Sequence, residues 1–180
     1  MNITKYKIFL AYDFEKEEAW LNSMSVMGLE LIDVGLCRYV FRDNRSNRFE
    51  YRLELLDNLP MNRESQAYIA FLEETGAEYV GSVFRWAYFK KTTEEGHFQL
   101  FSDVQSRIAH YKRIMFLLFA VLPVNVISTF NMFGHYADEP QHTFMIMGTL
   151  TGLLSILLAI GLVKIKLKVN GLKRESILKE

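Results

Sequence analysis

Between Arg113 and Lys164 the chain carries no Lys or Arg, and its only acids there are Asp138 and Glu139. Inside that window lie two uncharged apolar runs, IMFLLFAVLPVNVISTFNMF over 114–133 and TFMIMGTLTGLLSILLAIGLV over 143–163. A helix of about 20 apolar residues spans a hydrocarbon core of about 30 Å. Each run is therefore long enough to cross a bilayer, and the pair predicts a transmembrane hairpin over 114–166. Pro123 and Asn125 interrupt the first run. Proline is tolerated where neighbours satisfy the freed carbonyl, and Asn125 is expected to seek a partner on the second helix, at Thr149, Thr151 or Ser155. Gly148 and Gly152, four apart, offer a surface for close helix approach. Asn125, Gly148 and Gly152 are thus the expected packing residues of the hairpin.

Charge sets the expected orientation. Lys112 and Arg113 precede the first run, Lys164, Lys166, Lys168, Lys173 and Arg174 follow the second, and the connection GHYADEPQH has neither Lys nor Arg. The positive-inside rule places both termini in the cytoplasm and the turn outside. The start, MNITKYKIFLAY, lacks the basic region, apolar core and cleavage site of a signal peptide. The segment 167–180 reads as a basic cytoplasmic tail able to rest on anionic headgroups. His135 and His142 flank the turn without a Cys or a third His, so no metal site is expected there.

The first half repeats itself. EEAWLNSMSVMGLELIDV over 17–34 aligns with QAYIAFLEETGAEYVGS over 66–82 at an offset of 48 residues. Ala19, Trp20 and Leu21 fall on Ala67, Tyr68 and Ile69, Gly28 on Gly76, Glu30 on Glu78, and Phe41-Arg42 on Phe89-Lys90. KYKIFLAYD over 5–13 alternates like a strand. A helix follows, with Asp13 as its cap, Phe14, Trp20, Leu21, Met24 and Met27 as its apolar stripe and Gly28 as its stop. Single strands are expected over 29–43 and 48–57, joined by Asn44-Arg45-Ser46-Asn47. A second helix over 62–75 is capped by Asn62, and a last strand covers 77–91. The order β-α-β-β-α-β predicts an α+β, ferredoxin-like cytoplasmic domain over 1–95. A juxtamembrane stalk helix over 96–113 opens on Ser102 and Gln105, which have the form of a capping box. It serves either as a plain stalk or as a rod that passes a change in the soluble domain to the hairpin.

In the last strand Phe84, Trp86 and Tyr88 fall on one side, and Tyr79, Val83 and Phe89 on the other. Rings on both faces predict that something covers the second face: a homodimer mate, a partner, a ligand, the membrane-proximal helix or the domain's own connections. Trp20, Phe84, Trp86 and Tyr88 form the candidate interaction face.

The acidic helix opening Glu17-Glu18-Ala19-Trp20-Leu21 with Met24 and Gly28, Tyr39 with Phe41, the Tyr51-Arg52-Leu53 strand, the corner at 76–80, the strand end Tyr88-Phe89-Lys90-Lys91 and the stalk start Ser102-Asp103 together carry a resemblance. Over about residues 5–113 the chain resembles a bacterial membrane-anchored family, domain of unknown function 2812. Ala77 stands where relatives often have Trp. The resemblance implies a cytoplasmic domain followed by membrane spans in the bacterial cell membrane. It also implies a gene neighbourhood with PadR-like transcriptional regulators, and so wiring to an envelope-stress or drug response. It implies no activity.

Lys plus Arg and Asp plus Glu both number 21, so no global field draws the chain to nucleic acid. The strand RFEYRLEL alternates Glu with Arg, where an RNA-recognition module presents basic and aromatic residues. Nucleic acid is excluded as a partner. Cys37, the single cysteine, precludes an internal disulfide and reads as a small buried hydrophobe. Asp13, Glu17, Glu18, Asp33, Asp57, His97 and His110 are the candidate acids and bases. Asp13 and Asp57 read as caps, and Glu17 and Glu18 as solvent-facing. Without a phosphate loop, an activated nucleophile or a metal-spaced His pair, neither catalysis nor a cofactor is expected. What remains is a membrane-anchored interaction domain: a sensor or regulator, or else an accessory subunit of a larger membrane protein such as a transporter. Its expected partners are the bilayer and a membrane protein or homodimer mate, with a small-molecule ligand open.

Overall fold

The structure is a computed structural model that describes residues 2–93, 98, 104–138 and 141–178. The chain divides into two compact units, Met1–Ser102 and Asp103–Glu180.

The first unit is a duplication of four elements. The first copy holds β1 (Asn2–Tyr6), a 3-10 turn (Ala11–Asp13), α1 (Phe14–Val26), β2 (Leu29–Gly35) and β3 (Arg38–Asp43). The second holds β4 (Phe49–Leu55), α2 (Arg63–Glu74), β5 (Glu78–Val83) and β6 (Trp86–Thr92). Each copy closes its own antiparallel three-stranded sheet, in the orders β1-β3-β2 and β4-β6-β5. The repeated unit is therefore β-α-β-β, and the single four-stranded sheet of a ferredoxin-like domain does not form. The stretches 29–43 and 77–91, each expected as one strand, both fold back as hairpins. The chain turns at Cys37, φ 57°, and at Phe84, φ 53°. A run of 15 residues exceeds the usual strand length of about 3–10, and bending it satisfies more backbone than extending it.

Local chemistry explains the boundaries. Gly28 (φ 81°) and Gly76 (φ 89°) leave the two helices in the left-handed region that glycine adopts without strain. Asn62 caps α2, its side chain accepting from the Glu64 N–H at 2.9 Å. Asp13 makes no such bond to α1 and pairs instead with Lys16 at 2.8 Å. On α1 the buried positions Phe14, Glu17, Leu21 and Met24 recur at helical spacing.

Two devices join the sheets. β4 is an edge strand, and its outward N–H groups meet acceptors from α1: Phe49 N–H donates to Ser25 Oγ (2.7 Å), Tyr51 N–H to Asn22 Oδ1 (2.7 Å) and Leu53 N–H to Glu18 Oε1 (2.8 Å). The helix thereby covers an edge that would otherwise be open to pairing with another strand. The second device is a charged cluster where β2 lies beside β5. Glu30 binds Lys90 (2.6 Å), Arg42 (2.8 Å) and Asn44 (2.8 Å), and Lys90 also reaches Glu78 (2.9 Å). Glu30 and Glu78 are repeat mates, as are Arg42 and Lys90, so the duplication meets itself at this seam. Burial alone would raise the Glu30 pKa, but Lys90, Asn44 and Arg42 hold it down at about 2. Around α2 the core is apolar: Leu56, Ile69, Leu72, Ala77, Ala87, Phe89 and Phe98.

The second unit is two helices, α3 (Val104–Asp138) and α4 (His142–Leu178), packed antiparallel. Both are long and apolar enough to cross a membrane. Phe116, Phe119 and Phe130 lie at least 64% exposed, whereas a core helix of a water-soluble domain would bury them. The segment expected as a stalk and the first apolar run are one helix from Val104 onward; the capping residue Ser102 lies outside the described residues. The segment expected as a tail continues α4 to Leu178. Beyond the apolar runs the helices stay paired through Ile108, Tyr111, Ile165, Val169 and Leu172, all buried, with Lys168 Nζ 5.4 Å from the Tyr111 ring.

Candidate functional site

The four residues of the expected interaction face divide in the structure. Tyr88 is buried on β6, and Trp86 is half-buried with its ring centroid 5.5 Å from that of Phe14 on α1. Trp20 is half-buried on α1 itself. Phe84 alone stands out, 72% exposed at the β5–β6 turn with its backbone in the left-handed region. The first two turns of α1 cover the ring-bearing face of β6, so the domain's own helix occupies that place.

Under α1 lies the most distinctive chemistry of the domain. Glu17, expected to face solvent, is buried, and its Oε1 accepts from the Tyr39 hydroxyl at 2.7 Å and from the Tyr88 hydroxyl at 2.6 Å. Among the described residues no ion pair holds it. Burial raises its pKa, and the two tyrosine bonds pull it back only in part. Burial beside a carboxylate pushes both tyrosine hydroxyls upward, so they remain donors. Neighbouring Glu18 is pushed up to about 7, chiefly by burial, against the pull of the Leu53 N–H and Arg52.

Rings extend the cluster outward. The Trp20 centroid lies 4.8 Å from Tyr39, 5.7 Å from Phe9 and 5.8 Å from Phe41. Trp20 stands one helical turn beyond Glu17, so the carboxylate and the indole share a face of α1. Over the outer rings sits a cation: Lys7 Nζ is 4.9 Å from the Trp20 centroid and 5.0 Å from that of Phe9. Lys7 itself is exposed, in the irregular segment between β1 and the 3-10 turn. An acid, a wall of rings and a cation therefore form one continuous line from the interior to the surface. The α1 pattern could have pointed to Glu17, since residues 14, 17, 21 and 24 share the buried face. Nothing local ties it to Tyr39, Tyr88 or Lys7.

The chain matches the family model described as protein of unknown function (DUF2812) over residues 13–122. It belongs to this family. The DUF2812 match runs from the end of the 3-10 turn to the residue before Pro123, and so contains Glu17, Trp20, Tyr39 and Tyr88. Lys7 and Phe9 lie ahead of it. No curated protein and no solved structure matches the chain.

The other candidate acids and bases of the DUF2812 chain lie apart from this cluster. Asp33 pairs with Arg38 at 2.6 Å on the surface, and Asp13 pairs with Lys16. Asp57 lies exposed beyond β4, His110 is buried on α3, and His97 falls outside the described residues. Among the described residues no group of three or more His, Cys, Asp and Glu could hold a metal ion. A surface cavity of about 260 Å³ at the end of α1 is lined by Ser25, Gly28, Arg45 and Arg48 among others.

In the helix pair, Gly148 and Gly152 face α3. A Cβ at Gly148 would come within 3.3 Å of Met132 and Phe133, and one at Gly152 within 3.5 Å of Thr129. Asn125 bonds its own helix, Nδ2 to the Val121 carbonyl at 3.3 Å. A polar bond between the helices lies one turn further on, where the Thr129 hydroxyl donates to Thr151 Oγ1 at 3.0 Å.

Proposed function

We propose that this DUF2812 chain is a non-enzymatic, membrane-anchored sensor or regulator of an envelope or drug-stress response. Its duplicated domain is cytoplasmic, and its α3–α4 hairpin crosses the bacterial cell membrane with both termini inside. The observation that carries the sensing role is the Glu17 cluster. A buried carboxylate held by two tyrosines beneath tryptophan costs stability, and that cost supports a role for the cluster beyond holding the fold. A ligand or partner that alters this cluster changes the position of α1, which also covers the β4 edge. The acidic turn, free of Lys and Arg, and the basic helix ends support the orientation.

A second reading, an accessory subunit of a larger membrane protein, is supported by Phe84 at its exposed turn and by the apolar outer faces of α3 and α4. Purification from native membranes in mild detergent, with mass spectrometry of stoichiometric companions, separates the two. Recovery alone or as a homodimer is the expected result for the sensor. Constant company of a transporter or other integral protein would replace it with the subunit reading.

A further inference from the structure

The Lys7 contact has the composition of a ligand site already filled. Trp and aromatic neighbours around an ammonium group are the means by which proteins recognise organic cations, because the negative face of each ring attracts the charge. Here Trp20 and Phe9 both present their faces to one ammonium, at 4.9 and 5.0 Å. Tyr39 stands edge-on behind both, 4.8 Å from Trp20 and 6.4 Å from Phe9. Behind Tyr39 lies Glu17, a buried carboxyl group whose Oε1 accepts from the tyrosine hydroxyl. The filling cation is the removable part: Lys7 is exposed and belongs to no strand or helix, and its backbone is held by an N–H bond to the Cys37 carbonyl at 3.1 Å. Swinging the side chain away would open the Trp20 and Phe9 faces without disturbing that bond.

We propose that the Phe9–Trp20–Tyr39 cluster, backed by Glu17, is a binding site for an organic cation, with Lys7 as an internal surrogate that the ligand displaces. The inference rests on the sensor reading and names its ligand class. Because Lys7 competes for the same ring faces, its removal tightens binding.

The test uses the full chain in detergent micelles with Trp86→Phe, which leaves Trp20 as the sole indole of two. Choline is titrated while Trp20 emission is followed, in parallel with dimethylbutanol, the uncharged isostere in which carbon replaces the ammonium nitrogen. The expected result is a saturable change with choline, roughly tenfold tighter in Lys7→Ala, weakened by Glu17→Gln, and absent with the isostere. No saturable change in Lys7→Ala, or equal response to the isostere, overturns the proposal. If Trp86→Phe fails to fold, broadening of the choline methyl resonance by Lys7→Ala, compared with Lys7→Ala/Trp20→Leu, gives the same decision. Failure here with recovery of the chain free of membrane companions removes the cation and leaves the sensor. A constant integral companion removes the sensor reading itself.

Discussion

The two copies of the β-α-β-β unit share a frame and differ in what they bury. Leu21 and Met24 on α1 correspond to Ile69 and Leu72 on α2, and all four are buried. At the same offset of 48 residues, Glu17, Trp20 and Tyr39 correspond to Ser65, Tyr68 and Ala87. Tyr88 in the second copy corresponds to Val40 in the first. Thus the carboxylate–tyrosine–tryptophan cluster has no counterpart around α2, where the packed cluster is apolar, although the second copy does bury another carboxyl, Glu54 on β4. The added polar groups in the first copy ask for an explanation outside stability, because a buried carboxylate is costly unless it is paired.

The largest effects should fall equally on both copies. Leu21→Ala and Ile69→Ala each remove a buried branched side chain, and each should cost about 2–5 kcal/mol in chemical denaturation. A silent change at one of the two would break the equivalence of the frames. Next is Tyr88→Phe, which takes one of two donors from Glu17 and should cost about 1–3 kcal/mol, with a further rise of the Glu17 pKa. Val40→Ala, at the repeat position, should show no such pKa effect.

Acid–base behaviour sharpens the contrast. Glu18 titrates at about 7 in the fold against an ordinary 4.5. A carboxyl raised on folding favours its protonated form, so its contribution is complete below its unfolded pKa and lost as pH rises through 7. Glu17 acts in the same direction. Glu30, held at about 2, does the reverse: its contribution is present above its ordinary 4.5 and fades as pH falls toward 2. Thermal stability should therefore rise from about pH 8 to about pH 5 and fall below about pH 4. Glu18→Gln should flatten the upper slope and leave the lower one. The smallest effect belongs to the helix pair. Thr129→Val, which removes the bond to Thr151, should cost about 0.6 kcal/mol, and Asn125→Ala less, since its amide serves its own helix.

Much of this was legible in the residues. The repeat, the two helices with their glycine stops, the Asn62 cap and the two apolar runs follow from local periodicity and special residues. The hairpin turns were hidden because Leu36-Cys37 and Phe84-Arg85 carry none of the Gly, Asn or Pro that usually announce a reversal. The partners of Glu17 were hidden for another reason: Tyr39 and Tyr88 lie 22 and 71 residues away. Only the pairing of α1 with both sheets brings them together. Trp86 and Tyr88 were recognisable as rings needing cover, whereas the cover proved to be α1.

The central claim is that the first copy holds a chemically distinct carboxylate within a duplicated frame. Carbon-13 NMR titration of the side-chain carboxyls in the full chain, with the Glu17 signal assigned by its loss in Glu17→Gln, measures this directly. A Glu17 midpoint above the ordinary carboxylate value of 4.5, moving further upward in Tyr88→Phe, is the predicted result. A midpoint at or below the ordinary value, indifferent to Tyr88, would contradict the account.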